Sequence, residues 1–418
     1  MKERKTCRIS NDPLLELFTL GDIHISDFIA TDSNIKPEKV ELKMCISKKS
    51  GLAQLAHTAP SNKMYEKYWY KSGTNKTMVQ ELFEIAESTQ QLIKMELDDI
   101  WVDIGCNDGT LLSFVNKNFI RVGFDPAKNN YKESAEKHAS LFVNDYFTNN
   151  GYTNSRYGNK KAKVITSIAM FYDLEDPNSF VSDIYKTLDN NGLWIIQMSY
   201  LPLMLKQLAF DNICHEHLEY YSLSSLKYLL DKHNFSIVDC HLNNVNGGSF
   251  RIYIRKKSAD PITFSTAPHR YTAEYRTRSI LVYEKTLNLT DRLIYDDFYK
   301  KIKELKKQTV SFVKTEKAKG RKIWGYGAST KGNTLLQWFG LDNTLIDAIA
   351  ERSPAKYGLK TIGSNIPIYS EKEMREAKPD YLLILPWHFI NEFKEREADF
   401  LKGGGKFIVP CPKFEIIE

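Results

Sequence analysis

The sequence predicts an α/β chain in three parts: a small N-terminal lobe, a central Rossmann-like domain and a C-terminal Rossmann-like domain. Three observations carry this expectation. From Asp98 onward, apolar runs of strand length alternate with helical segments, the mark of a doubly wound parallel sheet. Two of these strands, Ile100–Ile104 and Lys322–Trp324, run into glycine turns that open helices. A chain of 418 residues is also long enough for two or three domains that each bury a core.

Composition excludes several classes. Hydrophobic residues at 42% and charged residues at 26% are ordinary globular values. The net charge of +6 is spread over interspersed lysines and acids, which suits an anionic small molecule and argues against nucleic acid as a partner. The six cysteines form no CxxC pair, as expected of a chain in a reducing cytoplasm. No apolar run reaches membrane-spanning length and the start carries no apolar leader, so no membrane partner is expected.

In chain order, residues 1–62 combine short apolar segments with turn signals such as Asn11-Asp12-Pro13 and Lys48-Lys49-Ser50-Gly51, and read as a loop-rich lobe. An aromatic stretch from Met64 to Thr74 precedes a helix expected over Asn75–Met95; its tyrosines line a pocket or pack a hinge. The central domain, 63–260, should hold strands at Ile100–Ile104, Arg121–Asp125, Leu141–Phe147, Lys163–Met170 and Leu193–Gln197. A helical insert from Leu201 to Phe210 follows, then a helix from Ser222 to His233 and a strand pair, Phe235–Cys240 with Phe250–Arg255. Residues 261–315 read as a helical bridge, and 316–418 as the second unit, with strands at Leu345–Ala350, Tyr381–Leu385 and Lys406–Pro410.

The first glycine loop, Asp103-Ile104-Gly105-Cys106-Asn107-Asp108-Gly109, lacks the GxGxxG spacing that cradles a pyrophosphate. It suits S-adenosylmethionine, which has no pyrophosphate. Asp125, at the end of the second strand, is placed to accept both ribose hydroxyls, and Asn144-Asp145 close the third strand's exit. In the second loop, Ser329, Thr330 and Lys331 at a helix start make an anion site suited to a diphosphate.

Between the loops stands Cys214-His215-Glu216-His217-Leu218-Glu219-Tyr220-Tyr221, which holds two of only nine histidines. Three readings compete: a metal pair, although position 219 is Glu219 and HExxH spacing is absent; a buried structural cluster; and general acid–base chemistry. The last is carried forward, because an imidazole beside a carboxylate titrates near neutrality and can take a proton from carbon next to a carbonyl.

These residues resemble the S-adenosylmethionine-dependent C-methyltransferases of nucleotide-linked deoxysugars. The likeness runs through Tyr70-Lys71-Ser72-Gly73, the first glycine loop, Ile213–Ser222, Asn246-Gly247-Gly248-Ser249-Phe250-Arg251, Gly325–Ala328 and Pro386-Trp387-His388-Phe389. The resemblance implies a class I methyltransferase domain in the centre and a nucleotide-sugar domain at the C-terminus. It implies His217 as the base at sugar C-3 of a 4-keto sugar, oriented by Glu216 and His215. It adds Tyr70 and Ser72 to the cofactor set of Asp103, Gly105, Asn107, Gly109, Asp125, Asn144 and Asp145. It adds Tyr220, Tyr221, Gly248, Arg251, Trp387 and His388 to Ser329 and Lys331 as substrate residues.

The family's N-terminal lobe carries two CxxC pairs for zinc. Here Cys7 is followed by Arg8-Ile9-Ser10 and Cys45 by Ile46-Ser47-Lys48, so four thiolates cannot assemble and no zinc is expected. Cys214 stands where antibiotic-sugar members have tyrosine. Rival readings are an O- or N-methyltransferase on a nucleotide sugar or other small metabolite, and a non-catalytic nucleotide-sugar-binding protein. An oxidoreductase built on Gly325-Tyr326-Gly327 is a third. A monomer or small homo-oligomer is expected.

Overall fold

A computed structural model describes the chain except residues 1, 34, 36–37, 61–63, 65–68, 128–130 and 262–266, and follows 267–271 by backbone only. The expectations for Tyr65 and Tyr68, for a boundary at 62/63 and for a bridge beginning near Thr263 lie outside the described residues.

The central sheet has seven strands. From one edge they run Phe235–Asn243, Ser249–Lys256, Leu188–Ser199, Ala162–Ile168, Ile100–Ile104, Ile120–Phe124 and Leu141–Val143. The last five are mutually parallel and the first two pair antiparallel. Strand Ile100–Ile104 is buried along its whole length, as a central parallel strand with helices on both faces must be. The helix Lys76–Leu92 begins where Asn75 caps the free amides of Thr77 and Met78. It buries Leu82, Ile85 and Ala86, at helical spacing, against Trp101, Val164 and Ile195 of this sheet.

The C-terminal sheet runs Ile368–Ser370, Ala348–Glu351, Ile323–Tyr326, Tyr381–Ile384 and Lys406–Val409, all parallel. The segment Glu415–Ile417 returns antiparallel on its edge, a strand the sequence pattern did not signal. The expected strand at Leu345 starts three residues later, at Ala348. The bridge is two long helices, Ala267–Leu287 and Arg292–Ala318. The first packs on the central sheet, where Arg276 Nη2 meets Asp239 Oδ2 at 2.5 Å. The second joins the core of the C-terminal sheet through Tyr295, Phe298, Ile302 and Leu305.

The N-terminal lobe departs most from expectation. It is built on two long strands, Leu14–His24 and Lys39–Ser47, rather than short pieces. Apart from a small cluster of Ile25, Val40, Ala59 and Met64, its core is shared: Leu17, Phe18, Leu42 and Met44 join one apolar cluster with Phe210, Trp338 and the C-terminal sheet. Phe28–Ala30 pairs with Leu359–Thr361 of the C-terminal domain. On the other side, Ala53–Gln54 pairs with Glu219–Tyr220, so the histidine segment supplies the edge strand of the lobe's four-stranded sheet.

The residues facing Cys7 and Ser10 are Ser47 and Ser50, not Cys45 and Lys48. Cys7 Sγ lies 3.3 Å from Ser50 Oγ and Ser10 Oγ lies 3.2 Å from Ser47 Oγ, while Ser50 Oγ donates to Ser47 Oγ at 2.8 Å. Asp12 accepts from Ser47. Each turn closes alike: Asn11 N to Cys7 O at 3.0 Å, and Gly51 N to Ser47 O at 2.9 Å. Asn11 and Gly51 both hold left-handed backbone, φ 60 and φ 70. Two matching knuckles thus meet through three hydroxyls and one thiol. A hydroxyl keeps its proton at neutral pH and is a poor substitute for the thiolates of a structural zinc site.

Candidate functional site

Three cavities run together between the two glycine loops. The middle one, with about 1050 Å³ of empty volume, is lined by Tyr70, Ser72, Asp103, Gly105 and Asn107 on one side, and by Ser329, Thr330, Lys331 and His388 on the other. Glu216 and His217 stand between them. A second cavity shares Gly105 and Asn107 and reaches Asp125 and Asp145; a third shares Tyr70, Ser329 and Thr330 and reaches Glu351 and Arg352.

The first loop is held in shape by its own neighbours. Asn107 takes left-handed backbone at φ 52, and its amide donates to Asp125 Oδ2 at 2.8 Å. Ala127 N donates to the other Asp125 oxygen at 2.9 Å. Asn107 Oδ1 accepts from Ser72 N, its Nδ2 donates to Tyr70 O, and Asp108 accepts from Gly73 N. The Tyr70–Gly73 segment is thereby clamped over the loop. Asp103 is 3% exposed, and burial pushes its carboxyl up to about 7 against the hydrogen bond from Thr166. A cationic ligand would offset that desolvation. The cleft, the paired aspartates and the glycine approach fit S-adenosylmethionine.

Two cofactor expectations, Asn144 and Gly109, line none of these three cavities. Asn144 Nδ2 donates to the carbonyls of Asp125 and Ala127, which fixes the exit loop. Gly109 sits at φ 77 where a Cβ would lie 2.9 Å from Ala135 Cα, so it serves helix–helix approach. Gly109→Ala should lower the midpoint of thermal unfolding by roughly 4–8 °C, since strain and a backbone clash together cost about 2 kcal/mol. Scanning calorimetry with and without S-adenosylmethionine checks this, and an unchanged midpoint with lost cofactor binding would reassign Gly109 to the ligand.

At the centre, His217 Nδ1 lies 3.0 Å from the Asn212 carbonyl oxygen. A carbonyl only accepts, so Nδ1 carries the proton and Nε2 is the lone-pair nitrogen. Burial, then the charge of Lys331, hold His217 well below the usual imidazole range, and it is neutral at physiological pH. Glu216 is pushed up to about 7, chiefly by burial, and accepts from Thr330 Oγ1 at 3.1 Å. Tyr172 packs its ring 4.2 Å from that of His217. Tyr172 and Asn246 line the cavities or crowd this ring without having been singled out as site residues; a tyrosine two residues after the strand Ala162–Ile168 and its exit turn was the available signal.

His215 turns the other way. Its Nε2 lies 2.9 Å from Val40 O in the lobe, and burial lowers its pKa to about 4. It fastens the segment rather than facing the cavity. Tyr220 and Tyr221 also leave the cavity: the Tyr220 hydroxyl donates to Asn212 O at 3.3 Å, and Tyr221 packs on Phe171 in the central core. Gly248 lies against Leu203, and Trp387 covers Gly247, so both serve the packing of the Asn246 turn between domains. Arg251 is engaged by Glu81 at 2.6 Å and Gln197 at 2.8 Å.

The second loop differs from the expected diphosphate cradle. Ser329 spends its hydroxyl capping Gly332 N, Thr330 turns to Glu216, and Lys331 Nζ donates to Asn212 Oδ1 at 2.7 Å. Glu351 accepts from Ala328 N, the counterpart of Asp125 in the first unit. His388 lines the same cavity, lowered to about 3 by burial and by Lys331.

Cys214, Glu216 and His217 offer three ligand atoms within 4.8 Å of one another. Burial raises the Cys214 thiol, which disfavours the thiolate a metal would need, and Lys331 already places a positive charge beside the trio.

A profile described as "Methyltransferase domain" matches residues 76–239, and one described as "C-methyltransferase C-terminal domain" matches 244–412. C-methyltransferase NovU of Streptomyces niveus is 26% identical over 415 residues, 98% of this chain and 96% of that protein. Among solved structures, the plantazolicin methyltransferase BpumL in complex with S-adenosylhomocysteine is 16% identical, covers 44% of this chain and 86% of its own, and has a TM-score of 0.34. N-methyltransferase NodS of Bradyrhizobium japonicum is 10% identical, covers 43% and 95%, and scores 0.32.

Proposed function

We propose that this S-adenosylmethionine-dependent methyltransferase, whose relative NovU methylates carbon, acts on C-3 of a nucleotide-linked 4-keto-deoxysugar, with His217 as the base. The observation that carries the reading is the single run of cavities from Asp125 through His217 to the second glycine loop. One ligand reaches the middle from each side, and the imidazole nitrogen with a free lone pair belongs to a residue lining that middle cavity.

Asp125, Asp145, Asp103 and the Gly105–Asn107 turn hold S-adenosylmethionine, which supplies an electrophilic methyl group when bound. Tyr70 and Ser72 close over it. The nucleotide lies along Gly327, Ala328 and Arg352, the sugar at Tyr70, Thr330 and His388. His217 Nε2 takes the C-3 proton, and the Asn212 carbonyl keeps the ring in the right tautomer and orientation. Glu216, sharing a proton near neutrality, stands beside the ring and steadies the imidazolium that forms.

The test is a panel of TDP-, GDP- and UDP-linked 4-keto-6-deoxysugars in deuterium oxide, with calorimetric binding of S-adenosylmethionine measured alongside. The expected outcome is a mass gain of one methyl with NMR attachment at C-3, and deuterium entering C-3 when S-adenosylhomocysteine replaces the methyl donor. A methyl on oxygen or nitrogen would instead support the heteroatom reading.

A further inference from the structure

We infer that Lys331 is a catalytic residue whose ammonium group holds the oxygen of the ketone as it becomes an enolate. The inference rests on the carbon-acid reading above and assigns a charge that His217 alone cannot supply.

The geometry joins the two groups through one residue. Asn212 is 2% exposed; its backbone carbonyl receives the His217 ring proton and its side-chain oxygen receives Lys331 Nζ at 2.7 Å. Asn212 Nδ2 is itself tied to Ala209 O, so the platform is fixed. Base and ammonium come from sequence positions far apart, on different domains, yet line the same cavity. Lys331 has three donor protons, one of which goes to Asn212 Oδ1. Among the described residues, two of its protons have no protein acceptor, and Ser329 and Thr330 are engaged elsewhere, with Gly332 N and Glu216. The charge is felt at Asp211, Cys214, Glu216, His217 and His388, the groups that face it from the histidine segment and from its own domain. A group that must bind diphosphate would instead turn toward the outer cavity at Arg352.

The step balances without further reagents. The C-3–H bond breaks, the proton passes to His217 Nε2, the freed pair forms the C-3–C-4 double bond, and the carbonyl π pair moves to the C-4 oxygen. That oxygen then carries a full negative charge, which a preorganised donor beside it stabilises without reorganising at the moment of reaction. His217 and Lys331 thus act on adjacent atoms of one substrate.

The experiment follows C-3 exchange of a TDP-linked 4-keto-6-deoxysugar in deuterium oxide with S-adenosylhomocysteine bound, in wild type, Lys331→Met and Lys331→Arg. Lys331→Met should slow exchange about 10²–10³-fold, in line with loss of one oxyanion donor, and leave TDP affinity within threefold. Lys331→Arg should recover at least tenfold of that loss. Exchange in Lys331→Met within threefold of wild type overturns the inference, as does a tenfold loss of TDP affinity with exchange intact, which would restore a diphosphate role. No exchange by wild type with any sugar of the panel overturns the carbon-acid reading, and the enolate role with it. Independent of substrate, the His217 imidazole should titrate at higher pH in Lys331→Met than in wild type by carbon-13 NMR of labelled histidine. An unmoved His217 titration, with the other histidines unchanged as in a folded variant, would contradict the juxtaposition itself, whatever the substrate.

Discussion

His217→Ala lowers turnover by about 10²–10⁴-fold, the range expected for loss of a positioned general base, and leaves S-adenosylmethionine affinity within a few-fold. The separation follows from placement. His217 shares the middle cavity with Gly105 and Asn107, but does not line the cavity that reaches Asp125. Its ring is fixed by Asn212 O and packed at a tilt against Tyr172, so removing it deletes a lone pair and opens space without releasing the first glycine loop. Initial rates of S-adenosylhomocysteine formation and calorimetric cofactor binding check the two halves. A mutant turning over at the wild-type rate would remove His217 from the chemistry. In His215→Ala, by contrast, what is lost is a bond to Val40 O in the lobe, so stability should suffer more than kcat.

Arg251→Met destabilises the fold by about 3 kcal/mol and lowers the unfolding midpoint by roughly 6–12 °C, with little change in substrate KM. The side chains of Arg251 and Glu81 are only 11% and 10% exposed, and their contact at 2.6 Å ties the helix Lys76–Leu92 to the central sheet. Gln197 Oε1 and Asn243 Nδ2 extend the same network. Truncating the guanidinium leaves Glu81 charged, buried and short of its partner, which costs more than the pair itself contributes. Glu81→Gln in the Arg251→Met background should return part of the loss. If KM for the nucleotide sugar rose while the midpoint stayed put, Arg251 would belong to the substrate after all.

The parts of this architecture legible in the sequence are those written locally. Both glycine loops, the strand alternation, Asp125 and the His215–His217 segment are contiguous patterns with a chemical reason for each residue. What escaped was set by docking. Ser329-Thr330-Lys331 has the composition of an anion cradle, yet the way its helix Thr330–Phe339 packs on the lobe and the insert sends Thr330 and Lys331 inward. Tyr221 and Arg251 sit in motifs next to site residues, but strand alternation and a partner in a distant helix decide where they point. In the lobe, sulfur drew the eye to Cys45, whereas the informative signal was the repeated frame Cys7-x-x-Ser10-Asn11 and Ser47-x-x-Ser50-Gly51, each followed by a residue suited to left-handed backbone.

The lobe's shared core has a consequence for synthesis. A ribosome delivers Leu14–His24 and Lys39–Ser47 before the segments that cover them: their sheet lacks its edge until Glu219–Tyr220 emerges, and much of their apolar face stays uncovered until Phe339 and the C-terminal strands arrive. The central domain, with its own clusters, can close in the meantime. The lobe strands are therefore made before most of the residues that bury them, and they meet the histidine segment only once it has been translated. Assembly of the lobe and completion of the histidine site become one event, so a chain stalled before its final sheet carries an exposed hairpin and an unfinished cavity together.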